Sequence, residues 1–182
     1  MKRSACAVAF ALALTAAREA PAFERQQHVG IDGAGAVLST DNGGTQFGGS
    51  FGLHYTYGLL DSLNLAAEAN TALIVNGAKP AKNPAPQPGV VATGGVGAMY
   101  IFDVLRWVPY GGALVGPAYL GGGFMSGGLG TLDVQLCLGL DYQINRSWTV
   151  GATYRQHLFV FKMDTYPEFT TLGLRFEYTW GW

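Results

Sequence analysis

The sequence predicts an all-β protein: eight antiparallel strands closed as an up-and-down transmembrane β-barrel, behind a cleaved signal peptide. Three observations carry this. Eight runs alternate with period 2, the repeat of a strand with two unlike faces. One face of each run is apolar over about ten residues, the length a tilted membrane strand needs. Aromatic residues gather at the ends of the runs, where a membrane–water interface favours them. Composition agrees, because 13% charged residues and 27 glycines in 182 residues are a poor recipe for a soluble surface.

The N-terminus has the layout of an export signal over residues 1–22, leaving 23–182 as the barrel. Lys2 and Arg3 form the positive start, Ser4 to Ala17 the apolar stretch, and Ala20-Pro21-Ala22 the small-x-small cleavage site. Cleavage after Ala17 is the alternative, because Arg18 and Glu19 are unusual so close to the site. The apolar stretch falls short of the ~20 residues of a spanning anchor. Cys6 lacks the preceding residues of a lipoprotein site. Cleavage removes Lys2, Arg3, Arg18 and Glu19 and leaves a net charge of −3, with Cys137 as the one remaining cysteine. No intramolecular disulfide is then possible. Nothing basic enough for nucleic acid is present.

The strands follow in order. The first is His28 to Leu38. The second, Thr45 to Tyr57, sets Phe47, Phe51, Leu53, Tyr55 and Tyr57 against Gln46, Gly48, Ser50, Gly52, His54 and Thr56. The third, Ser62 to Val75, sets Leu63, Leu65, Ala67, Ala69 and Leu73 against Asn64, Ala66, Glu68 and Asn70. The fourth, Val90 to Val104, aligns Val96, Ala98, Tyr100 and Phe102. The fifth, Trp107 to Leu120, alternates least clearly. The sixth is the cleanest: Leu132, Val134, Leu136, Leu138, Leu140 and Tyr142 oppose Asp133, Gln135, Cys137, Gly139 and Asp141. The seventh, Ser147 to Phe161, sets Trp148, Val150, Ala152, Tyr154, Leu158 and Val160 against Thr149, Gly151, Thr153, Arg155 and His157. The eighth, Phe169 to Trp180, sets Thr170, Leu172, Leu174, Phe176, Tyr178 and Trp180 against Phe169, Thr171, Gly173, Arg175, Glu177 and Thr179.

Short connections after strands two, four and six (Gly58 to Asp61, Leu105-Arg106, Asn145-Arg146) alternate with mostly longer ones. The latter are Ser39 to Gly44, Asn76 to Gly89, Gly121 to Gly130 and Lys162 to Glu168. That asymmetry fits a barrel with both termini on the periplasmic side. The aromatics then fall into two belts. Tyr55, Tyr57, Tyr100, Phe102, Trp107, Tyr110, Tyr142, Trp148, Tyr178 and Trp180 lie at the periplasmic ends. Phe47, Tyr119, Phe124, Phe159, Phe161 and Phe169 lie at the outer ends. A soluble barrel of the lipocalin kind also alternates, but it carries its charge outward. Here the charges are few and the small residues of the polar face suit a narrow, side-chain-filled lumen.

The chain resembles the small outer-membrane barrels of Gram-negative bacteria, the OmpA-like and OmpX-like families, over nearly all of its mature length. The specific part is Leu172-Gly173-Leu174-Arg175-Phe176-Glu177-Tyr178. With Trp180 and Trp182 it looks like the C-terminal signal read by the barrel-assembly machinery: Gly173, then Phe176, Tyr178, Trp180 and Trp182. A terminal Trp stands where the family usually has Phe, and no peptidoglycan-binding domain follows the barrel. The resemblance implies an outer-membrane protein, monomeric, with outer-membrane lipids as its surroundings.

The inward face carries Asp32, His54, Glu68, Asp133, Asp141, Arg155, His157, Arg175 and Glu177. Buried charges must pair, because an unpaired one is costly. Pairing strands seven and eight is expected to bring Arg155 near Arg175, with Glu68 and Glu177 between them, and His157 near Asp133. One reading is a charged plug with a structural role. A second is a narrow gated pore opened by exchange of arginine partners, whose conductance changes when Glu68 becomes Ala. An outer-membrane lipid hydrolase would need Ser, His and a carboxylate on the lipid face at the outer rim. His157 is expected to face inward, and Phe159 stands where such a serine would be. Adhesion or ligand binding by the outer loops is the third class. No catalytic residue, cofactor or metal constellation is expected, since one mature Cys and three His are scattered over different strands.

Overall fold

The computed structural model describes residues 25–41, 44–75, 87–102 and 106–181. Eight strands follow one another: β1 (Gln27–Thr40), β2 (Gly44–Leu60), β3 (Leu63–Val75), β4 (Val90–Ile101), β5 (Trp107–Gly121), β6 (Leu129–Gln143), β7 (Trp148–Phe159) and β8 (Glu168–Trp180). Each pairs antiparallel with its neighbours in sequence, and β8 pairs with β1 from Gln27↔Trp180 to Ser39↔Glu168. The sheet is therefore a closed barrel with no free edge. The expected signal peptide, most of the Asn76 to Gly89 loop and Trp182 lie outside the described residues.

Several boundaries differ from expectation. β1 and β2 extend to Thr40 and Gly44, so the first loop-end connection is cut to three residues, 41–43. β2 continues through Gly58 to Leu60, where a register shift absorbs Leu59, as bulges do at barrel rims. The ladder between β4 and β5 runs from Val90↔Gly121 to Thr93↔Ala118 and resumes at Val96↔Val115. Pro117 faces that gap; it has no N–H to give β4. β4 ends at Ile101 instead of Val104.

Period 2 survives around the ring. Outward side chains such as Phe51, Leu138, Leu172 and Leu174 stay exposed, while the alternate ones are buried. A continuous apolar exterior of this extent is foreign to a soluble protein and is the lipid-facing band of a membrane barrel. No helix among the described residues is long and apolar enough to cross a membrane, so the strands supply the spanning element.

At the end carrying both termini, aromatic rings touch one another in the band. Trp148 stacks on Phe176 with centroids 4.9 Å apart and lies 4.8 Å from Tyr178. Trp107 meets Tyr142 at 4.9 Å, and Tyr100 meets Phe102 at 4.7 Å. Three aromatics expected in the belts turn inward instead: Tyr110, Phe159 and Phe169 are all buried in the barrel. Position near a strand end suggests the belt, whereas the parity that Phe159 shares with His157, and Phe169 with Arg175, points inward. An apolar inner face explains the weak alternation of β5, whose inward residues include Val108, Tyr110, Leu114, Ala118 and Leu120.

Candidate functional site

The lumen divides into two layers. Toward the loop end the inward residues are mainly apolar, with Gln46 and Thr40 among them: Leu38, Leu120 and Phe159 have no exposed surface, and Phe169 has 2%. Phe159 and Phe169 stack at 5.8 Å, and Tyr166, from the β7–β8 loop, packs its ring edgewise on Phe159. The loop is drawn in by local bonds, from Tyr166 N to Lys162 O at 2.8 Å and from Asp41 N to Thr165 O at 3.0 Å. Burial raises the Tyr166 phenol above its ordinary pKa. The loops also hold one another: Phe124 N donates to Gln87 O at 2.9 Å. The result is a packed layer of apolar side chains at the loop end.

Beneath it lies the charged layer. Among the described residues five carboxylates are buried (Asp32, Glu68, Asp133, Asp141 and Glu177), together with Arg155, Arg175 and all three histidines. Arg155 donates through Nε to Glu68 Oε2 at 3.0 Å and through Nη2 to Asp32 Oδ2 at 3.2 Å. It bridges two strands across the barrel, which no neighbour-strand pairing could do. Arg175 is ion-paired with Glu177 on its own strand, lies 3.7 Å from Asp141 and stands 4.6 Å over the Tyr110 ring. A guanidinium over an aromatic face is attracted by the ring's quadrupole, more so when desolvated.

His54 links the two halves. Its Nδ1 lies 2.8 Å from Asp32 Oδ2 and its Nε2 lies 2.8 Å from Glu177 Oε1. An ionised carboxylate only accepts, so each short contact needs a proton between its atoms. Arg175 Nη2 approaches the same Nε2 at 3.3 Å, so imidazole and guanidinium converge on Glu177. His157 forms a separate dyad with Asp133, Nδ1 to Oδ2 at 2.7 Å, and its ring lies 4.7 Å from Phe169 under the apolar layer. Two glycines make room for this layer. A Cβ at Gly30 would overlap the His54 ring, and one at Gly139 would overlap the Tyr110 ring.

The nine charged or histidine residues expected inside are all buried there. Their partners differ in one respect. Arg155 is paired with Thr171 and Arg175 with Gly151 in the β7–β8 ladder, so the two guanidiniums are not cross-strand neighbours as expected. They stand four residues apart along the barrel, each with its own carboxylate. His28 was missed. It lies in the lumen 3.0 Å from Thr179 Oγ1 and 3.7 Å from Glu177 Oε2. Its even-numbered column, shared with Asp32, was the available signal. Tyr110 was missed because a tyrosine near a strand end reads as belt. Of the expected C-terminal signal, Phe176 and Tyr178 face outward, Trp180 is half-buried on the same side and Gly173 is on the inward side.

A cavity of only about 20 Å³ lies in the charged layer toward the end with both termini, lined by His28, Asn64, Tyr110, Asp141, Arg175 and Glu177 among others; that is room for about one water molecule. The loop end has the packed apolar layer instead. The arrangement holds charge in place. Among the described residues no group of three or more His, Cys, Asp or Glu is arranged to hold a metal ion.

No protein-family model and no curated protein matches this chain. Solved structures do match in shape. Neisserial surface protein A superposes with a TM-score of 0.65 at 18% identity, over 84% of this chain and 96% of that one. The N-terminal β-barrel domain of Pseudomonas aeruginosa OprF gives 0.58 at 14% identity, over 86% and 98%. The attachment invasion locus protein of Yersinia pestis gives 0.57 at 16% identity, over 86% and 99%. At these identities the likeness establishes the fold, a small eight-stranded barrel of the outer-membrane kind.

Proposed function

We propose that this chain is an integral outer-membrane barrel with a sealed lumen. In this reading it is a structural element that carries its loops on a rigid, non-conducting cylinder. The observation that carries the reading is the two-layer lumen: an apolar plug of Leu38, Leu120, Phe159 and Phe169 over a charge-paired layer centred on Arg155 and Arg175. Opening a water path would require breaking both layers, and exchange of arginine partners alone reaches only the lower one. The apolar exterior and its aromatic band place the barrel in lipid, and its shape is that of outer-membrane barrels. The C-terminal Gly173, Phe176, Tyr178 and Trp180 then serve recognition by the assembly machinery on the way in.

The hydrolase reading draws no support from the geometry, since all three histidines face the lumen and His157 is 1% exposed. Loop-mediated binding has one observation in its favour. The interlocked loops leave Phe124, Phe161 and Met163 exposed, and apolar residues at loop tips suit a surface contact.

Two measurements test the proposal. Outer-membrane fractions should yield a band whose migration shifts on boiling; an unshifted band from a soluble protein would refute membrane residence. In planar bilayers the purified barrel should be electrically silent, and so should Glu68→Ala. Regular discrete conductance steps in the wild type would overturn the sealed lumen.

A further inference from the structure

The outer wall of the barrel is not uniform. On β2 to β4 a groove of about 640 Å³ is lined by Tyr55, Tyr57, Leu65, Ala67, Val96 and Ala98. Two cross-strand rows build it, Tyr55–Ala67–Val96 and Tyr57–Leu65–Ala98. In each, a tyrosine on β2 forms the wall and an alanine on β3 or β4 leaves the floor low. The low floor continues along β3 through Ala69 and Thr71, beside Gly94 and Ala92 on β4. From Leu65 to Thr71 is six residue steps, about 20 Å of strand. On a strand tilted by roughly 40° this projects to about 15 Å, half of the ~30 Å hydrocarbon thickness. The groove lies at the aromatic band of the end with both termini, and the stripe of small side chains that continues it reaches the membrane's midplane, the span of one leaflet.

A basic residue is anchored by its backbone beside the end of this groove. Arg25 is exposed, and its backbone N–H donates to Gly58 O at 2.8 Å, one residue beyond the wall residue Tyr57. Gly58 N returns a bond to Gln26 O, also 2.8 Å. Arg25 holds a left-handed backbone, φ 65°, unlike every other described non-glycine residue. The wall is fixed as well, since Tyr55 Oη donates to Gln27 Oε1 at 3.0 Å. An apolar furrow with an exposed arginine, held by its backbone, beside its end has the outline of a lipid with a negative head.

We propose that this groove is a binding site for an anionic phospholipid of the periplasmic leaflet, one acyl chain lying along β3 and the phosphate region meeting Arg25. The inference rests on the membrane-barrel reading above and adds to it a defined lipid partner at a defined face. Guanidinium recognition of phosphate oxygens is geometrically specific, and the tyrosine walls suit the boundary between chain and head.

The test is native mass spectrometry of barrels inserted into vesicles of equal phosphatidylglycerol and phosphatidylethanolamine, then released in mild detergent. The wild type should retain one lipid, with phosphatidylglycerol favoured roughly fivefold, the size of effect one basic side chain has at an anionic headgroup. Arg25→Gln should keep a lipid but lose the preference. Ala67→Phe, which fills the floor, should lose the lipid, whereas Ala152→Phe, on the outward face of β7, should keep it. Insertion without a retained lipid, a lipid indifferent to Ala67→Phe, a preference unchanged by Arg25→Gln, or a lipid-free dimer would each overturn the site while leaving the barrel reading intact. Failure of the wild type to insert at all would overturn both.

Discussion

Replacing Glu68 by Ala tests the charged layer at its most connected point. Arg155 has side-chain exposure of 2% and two anionic partners, Glu68 at 3.0 Å and Asp32 at 3.2 Å. Removing one partner of a buried ion pair typically costs ~3–5 kcal/mol, because the other charge is left without compensation. Here Asp32 stays in place, so the lower figure applies, about 3 kcal/mol. With a urea slope of about 2 kcal/mol per molar, the unfolding midpoint of the barrel in phosphatidylcholine vesicles should fall by about 1.5 M. Arg155→Met should cost at least as much, since it strands Glu68 and Asp32 together. In the double variant the two losses should overlap by ~2 kcal/mol or more, the sign of residues sharing one network. A Glu68→Ala midpoint within ~0.25 M of wild type, or strictly additive losses, would refute a buried, coupled pair. Conductance should remain absent in every variant, because the Phe159–Phe169 layer stands above the change.

The remaining predictions concern the two faces and the glycines that fit them. Cys137 is 1% exposed and inward, so a maleimide should not label it in the folded barrel and should do so after urea unfolding; rapid labelling of the folded form would contradict the lumen assignment. Leu138 is 61% exposed on the opposite face of β6, and Leu138→Lys should cost ~2–4 kcal/mol in lipid, as a cation does near the midplane; an unchanged urea midpoint would argue for a water-facing surface. Gly139→Ala drives a methyl into the Tyr110 ring, an overpacking expected to cost ~1–3 kcal/mol. Combined with Tyr110→Ala it should cost no more than Tyr110→Ala alone, and a full additive loss would place Tyr110 elsewhere.

Much of this protein was legible before any coordinates. The direction in which each side chain points follows from backbone alternation alone, so the runs that contain Asp133, Cys137 and Asp141, or Arg175 and Glu177, declared their inward face directly. The number of strands, the lipid-facing exterior and the burial of all nine expected lumen residues come from that one local rule. Even the overlooked His28 sat in the same even-numbered column as Asp32.

What the tertiary structure decided is who meets whom across the lumen. Arg155 reaches Glu68 on β3 and Asp32 on β1, and lies opposite Thr171 instead of beside Arg175. Such contacts depend on the tilt and stagger of the closed sheet, which accumulate through eight ladders. A single displaced register, such as the one at Gly58/Leu60, moves every partner beyond it. The apolar plug belongs to the same class. Phe159 and Phe169 stand in the odd-numbered columns of Arg155 and Arg175, so alternation points them inward, but like Tyr110 they lie near strand ends and read as belt residues by position. Only closure of the barrel, which brings β1, β5, β7 and β8 within reach of one another, packs Phe159 and Phe169 into one layer.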